Sequence, residues 1–133
     1  MTPHSQVFLV DDDPSVRRAI ERLLRSAGYG VQAFASAQEI RRTLDEDGDD
    51  GPACLLLDVR MPGHTGFDLF EWVRSSGRDI PVIFMTGDVD TSLAARAMKA
   101  GAVEYLAKPF DDEALLEAIR KALALLEVHR QPG

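Results

Sequence analysis

The 133 residues suffice for one domain and leave no room for a second of ordinary size; 45% apolar and 28% charged content fit a buried core under a solvated surface. A formal net charge of −7 argues against direct binding of a nucleic-acid backbone by this domain. The single cysteine, Cys54, excludes an internal disulfide, and neither a leader-like start nor an apolar run near the ~20 residues of a membrane helix is present, so the expectation is a cytoplasmic protein without membrane attachment.

Val7 to Val10 reads as a buried first strand. Pro14 to Ala27 has helical spacing, with Val16, Ile20, Leu23, Leu24 and Ala27 on one stripe. Asp13 before Pro14 suits an N-cap, and Gly28 suits a left-handed terminator. Val31 to Phe34 is a weaker second strand. Ser36 caps a helix through Ile40 and Leu44 that ends in the polar stretch Asp45 to Gly51. Ala53 to Leu57 is apolar at every position, the habit of a strand covered on both faces, and Cys54 reads as a small core residue. Gly66 to Ser75 is the next helix, with Phe67, Phe70 and Val73 inward and Trp72 packing at the stripe's edge. Val82 to Met85 is a fourth strand after Pro81. A helix from Asp90 or Thr91 ends near Ala100, with Gly101 as its terminator. Val103 to Ala107 is the fifth strand. A last helix runs from about Asp112 to Val128, with Leu115, Ile119, Ala122 and Leu126 inward.

This alternation predicts an α/β fold in which a five-stranded parallel sheet carries helices on both faces. The domain spans residues 1–127, and 128–133 reads as the start of a linker or a frayed tail. Ligands of such sheets sit beyond the carboxyl ends of the strands. Those ends carry Asp11, Asp12 and Asp13 after strand one, Asp58 after strand three, Thr86 and Gly87 after strand four, and Lys108 and Pro109 after strand five.

Clustered carboxylates raise one another's pKa unless neutralised, and a hard divalent cation such as Mg²⁺, which takes oxygen ligands and bridges to phosphate, neutralises them. Lys108 adds a point charge suited to a phosphoryl oxygen, Thr86 adds a donor, and Gly87 leaves the approach open. Such a set suits phosphoryl transfer, which depends mainly on positioning and charge neutralisation. Taken singly, each residue has a plainer role: Asp13 as cap, Asp11 or Asp12 as partner of a helix dipole, Lys108 as a surface lysine, Thr86 as a strand-end hydroxyl. Their joint occurrence at consecutive strand ends favours the site.

The segments Val10–Asp13, Leu57–Gly63, Met85–Gly87 and Tyr105–Phe110, in this order, resemble the receiver domain of two-component response regulators over about Gln6 to Leu126. The stretch Ala97–Ala102 is similar to the FixJ/NarL-type branch. The resemblance implies a flavodoxin-like (βα)5 fold and a phosphorylation-activated switch rather than an enzyme acting on a separate substrate. Asp58 would take a phosphoryl group from a phosphohistidine on a sensor kinase. Asp12 and Asp58 would ligate Mg²⁺ (or Mn²⁺) directly, Asp11 would act through water, and the Arg60 carbonyl would complete the protein ligands. Thr86 and Lys108 would hold phosphoryl oxygens, and Tyr105 would be the switch aromatic. The Lys108–Pro109 bond would be cis. Partners would read the face built from the last two helices and the fifth strand. A phosphorylation-dependent homodimer and a C-terminal DNA-binding output domain controlling transcription are the partners implied.

Leu116 and Leu123 lie off the core stripe of the last helix and read either as part of a dimer or partner face or as a partly covered flank. Arg60 and Asp88, each two residues past a site residue, are candidates for tuning the lifetime of the phosphoryl group. His4, His64 and His129 lack metal-ligand spacing. Two rival readings remain. One is a docking module that works without phosphorylation. The other is a haloacid-dehalogenase-type phosphatase using Asp11-Asp12-Asp13, which would leave Asp58 without a role.

Overall fold

The computed structural model describes residues 6–47, 54–61, 64–77, 80–87, 91–108 and 110–130. The principal strands are β1 (Gln6–Val10), β2 (Gly30–Phe34), β3 (Cys54–Asp58), β6 (Val82–Thr86) and β7 (Glu104–Ala107). They form one parallel sheet in the order β2-β1-β3-β6-β7, with Leu9 opposite Leu56 and Leu56 opposite Ile83. The helices are α1 (Pro14–Ser26), α2 (Ala37–Asp47), α3 (Gly66–Ser75), α4 (Thr91–Ala100) and α5 (Asp112–Arg130). The predicted flavodoxin-like α/β architecture is therefore the observed one.

Strand periodicity divides the core. Phe8, Val10, Leu55, Leu57, Val82 and Phe84 point to the layer of α2, α3 and α4. Val7, Leu9, Cys54, Leu56, Ile83 and Met85 point to the layer of α1 and α5. β3 and β6 are buried at every position, which accounts for their continuous apolar sequence. β2 lies at the edge of the sheet with Gln32 exposed, so its apolar signal is weaker. Cys54 is buried, and burial pushes its thiol pKa up, as suits a core residue without chemistry. Trp72 packs partly buried against the α2–α4 layer, its ring 5.4 Å from the Arg41 guanidinium.

The helix signals read as expected. Asp13 Oδ1 accepts from the amides of Ser15 and Val16, with Pro14 opening α1. Ser36 Oγ accepts from the Glu39 amide, and Glu39 reaches back to the Ala35 amide, a reciprocal cap for α2. Gly28 and Gly101 hold φ of 96° and 110°, the left-handed region that ends α1 and α4.

α2 ends at Asp47, inside the polar stretch expected to end it. α5 continues to Arg130, past the expected stop at Val128. Between Asp58 and α3 lies a short antiparallel pair, β4 (Arg60–Met61) with β5 (His64–Thr65). His4, Asp88 and Pro109 lie outside the described residues, as do the side chains of Arg60, His64, Leu126 and His129. No described helix is long and apolar enough to cross a membrane.

Candidate functional site

The carboxyl ends of β1, β3, β6 and β7 are aligned by register, with Val10 opposite Leu57 and Asp58 opposite Met85, and backbone bonds carry the pairing of β1 with β2, β3 with β6 and β7 with β6 past the last strand residues. The Asp11 amide donates to the Phe34 carbonyl at 3.2 Å, the Val59 amide to Met85 at 2.8 Å, and the Lys108 amide to Thr86 at 2.6 Å. α3 begins hard against this edge. The Gly66 amide donates to the Val59 carbonyl, and a Cβ on Gly66 would stand 2.6 Å from the Asp58 carbonyl oxygen. Only glycine permits that approach.

Asp11, Asp12 and Asp58 come together here, each offering a carboxylate oxygen, all within 4.8 Å of one another. Asp11 is 0% and Asp58 6% exposed, whereas Asp12 is open to solvent. Lys108 spans the cluster: Nζ donates to Asp11 Oδ2 at 2.6 Å and lies 3.5 Å from Asp58 Oδ2. Partial burial acts to lower the Lys108 pKa, but the hydrogen bond to Asp11 and the charges of Asp58 and Asp11 outweigh it and hold the group above its ordinary 10.5. One ammonium against three carboxylates leaves an excess of negative charge. A dense oxygen donor set with that excess fits a hard divalent cation.

Asp11 is fully engaged. Its Oδ1 accepts from the Asp13 amide at 2.9 Å, its Oδ2 from Lys108, and its carbonyl from Arg17 Nη1 at 2.7 Å. Thr86, the last residue of β6, is fully buried, and nothing stands within 4 Å of where a side chain on Gly87 would begin. Tyr105 is half-buried against the α2–α4 layer. Arg60 lies in β4, two residues past Asp58.

Two features were not foreseen from the sequence. Arg17 lies six residues beyond Asp11, a little over one turn into α1, which brings its side chain back to the strand end. The other is a groove of about 440 Å³ between α1 and α5, lined by Val16, Ile20, Leu23, Phe110, Leu115 and the Lys108 stem among others. Its walls were legible as the stripe of α1, but not the gap between the helices.

The family model for the response regulator receiver domain matches residues 7–120. The response regulator protein TodT of Pseudomonas putida is 41% identical over 126 residues, covering 95% of this chain and 54% of that protein. The transcriptional regulatory protein FixJ of Bradyrhizobium diazoefficiens is 39% identical, covering 96% of this chain and 60% of its own length. The solved receiver domain of a Clostridium thermocellum response regulator superimposes with a TM-score of 0.87 at 29% identity, covering 94% of this chain and 98% of that one. The chain spans about half the length of the first curated relatives it matches.

Proposed function

The chain belongs to the receiver domains of two-component response regulators, with FixJ among its relatives, and on that premise we propose that it is a phosphorylation-activated switch whose acceptor is Asp58. The supporting observation is the convergence of Asp11, Asp12 and Lys108 on the Asp58 carboxylate. In the transfer, an Asp58 oxygen attacks phosphorus, the P–N bond of a sensor kinase's phosphohistidine breaks, and the imidazole leaves. Lys108 moves from its carboxylate partners to a phosphoryl oxygen and Thr86 donates to another, while Gly87 leaves the approach clear.

Asp12 and Asp58, with the Arg60 carbonyl, would hold Mg²⁺ (or Mn²⁺). The engagement of both Asp11 oxygens supports its action through water. When bound there, the cation would supply charge neutralisation for the carboxylates and the incoming phosphoryl group.

The phosphoryl group adds charge and acceptor oxygens at the sheet edge, and this shifts the population of the α4–β7–α5 face through Thr86 and Tyr105. Leu116 and Leu123, half-buried on α5, and the exposed Leu125 (41%) leave apolar surface there for a homodimer or output contact. Residues 1–127 form the receiver, and 128–133 lead toward a DNA-binding output domain that controls transcription, in a cytoplasmic setting. Arg60 and Asp88 set the phosphoryl lifetime: Arg60→Asn changes the autodephosphorylation rate, and an unchanged decay constant would remove that role.

Incubation with a small phosphodonor and Mg²⁺ tests the switch. Wild type and Asp11→Asn take up label, the variant more slowly, and Asp58→Asn takes up none. Label retained in Asp58→Asn, or no label in intact wild type, overturns the assignment.

A further inference from the structure

We infer that Arg17 is a positioning residue for the cation pocket: by holding the Asp11 carbonyl it fixes the peptide from which Asp12 projects. The inference rests on reading Asp11, Asp12 and Asp58 as the site of a divalent cation. Asp12 is the exposed member of that set, and its place depends on its backbone. Two peptide planes flank it. The plane between Asp11 and Asp12 is anchored through its carbonyl, which accepts from Arg17 Nη1 at 2.7 Å. The plane between Asp12 and Asp13 is anchored through its amide, which donates to Asp11 Oδ1 at 2.9 Å. With both planes held, the Cα–Cβ direction of Asp12 is set before a ligand arrives.

The Asp11 carbonyl needs this partner. Asp11 is fully buried, and a buried carbonyl without a donor is costly. Arg17 is half-buried on the first turns of α1, and α1 is itself fixed by the Asp13 cap. The chain from Asp11 to Arg17 is therefore a closed brace in which the helix that follows the acidic turn returns a side chain to hold it. Partners that orient metal ligands without touching the metal commonly alter metal affinity strongly.

Charge and position predict opposite signs. Removing a cationic side chain near an acidic pocket strengthens cation binding if only charge matters. Removing the anchor weakens it. Calorimetric titration of Mg²⁺ alone, without phosphodonor, into wild type, Arg17→Met, Arg17→Gln and Arg18→Met separates the two. Arg18→Met loses the same charge from an exposed site on the same helix. Arg17→Met, which has no donor, and Arg17→Gln, whose amide donor stops about two bonds short of the guanidinium Nη1, are expected to bind about tenfold more weakly. Arg18→Met stays near wild type, and Arg17→Lys, which keeps one donor, recovers part of the loss. Arg17→Gln keeps the comparison available where Arg17→Met fails to fold. Binding by Arg17→Met or Arg17→Gln as tight as wild type, or tighter, overturns the positioning role. No binding by wild type overturns the cation-pocket reading itself, a result distinct from an unchanged Arg17 variant.

Discussion

The two faces of the sheet differ in composition and in what they carry at their carboxyl edge. The α1/α5 layer is aliphatic, built on Val7, Leu9, Ile20, Leu24, Leu56, Ile83 and Leu115. Among the described residues the buried rings lie in the α2–α4 layer (Phe8, Phe34, Phe67, Phe70 and Phe84), while Tyr29 and Phe110 flank the other layer only partly buried. Phe67 and Phe84 have ring centroids 4.8 Å apart, and Phe70 meets Phe84 edge-on at 5.5 Å. Arg96 of α4 stacks on Phe67 at 4.3 Å, and Arg74 covers Phe70 while donating to the Ala100 carbonyl at the end of α4. Strand alternation extends this division into the site. Asp11 follows Leu9, Asp58 follows Leu56 and Lys108 follows Leu106 on the aliphatic face, whereas Thr86 follows Phe84 on the aromatic one. The charged groups thus stand over α1 and α5, and the hydroxyl proposed to sense them stands over the layer that holds α4.

The largest stability effect that sharpens this contrast is expected from Phe84→Ala. It removes a fully buried ring together with two aromatic contacts, at about 3–5 kcal/mol. Ile83→Ala, one residue away on the aliphatic face, should cost less, toward the lower part of the ~2–5 kcal/mol range for aliphatic truncation. Denaturant unfolding of both measures the gap, and equal losses would erase the distinction between the layers.

Lys108→Met comes next. It leaves Asp11 buried without its cation, and because Lys108 is partly exposed the loss should fall near the low end of the ~3–5 kcal/mol typical of a broken buried pair. The pH dependence has a definite sign. The Lys108 pKa is raised by folding, so the stabilisation is complete below the ordinary 10.5 and is lost as pH rises through the higher folded value. Melting temperatures across the alkaline range should fall in wild type and stay flatter in Lys108→Met. The smallest effect, about 0.5–1 kcal/mol, is expected from Arg96→Ala, where an exposed guanidinium leaves the Phe67 ring. Loss of cooperativity instead of this small shift would show that α4 depends on the stack more than its burial implies.

The fold was legible because each element carried its own period and punctuation. β3 and β6 were apolar throughout, and Asp13, Ser36, Gly28 and Gly101 marked helix ends by local chemistry that needs no tertiary partner. The residues gathered at the strand ends were legible for the same reason, since parallel strands deliver their carboxyl ends to one edge. What stayed hidden depended on contacts distant in sequence. Nothing local says that Lys108 will choose Asp11 over Asp58, that Phe84 will lie between Phe67 and Phe70, or that α1 and α5 will leave a groove. Arg17 was within reach of a sequence argument, because one helical turn after a capping aspartate returns a long side chain toward the preceding strand. The β4–β5 pair is too short for any period to reveal.

Asp11, with its amide, its carbonyl and both carboxylate oxygens engaged, gathers like charges during folding rather than at binding. The repulsion is then carried by the native state alone, since the unfolded chain keeps these carboxylates apart. Anything that neutralises the cluster in the native state draws the folding equilibrium with it, by RT ln(1 + [L]/Kd) for a ligand of the folded form. Thermal stability thereby becomes a reading of the charge held in the pocket, and occupancy of the acidic pocket by a reversible ligand can be followed as a rise in melting temperature.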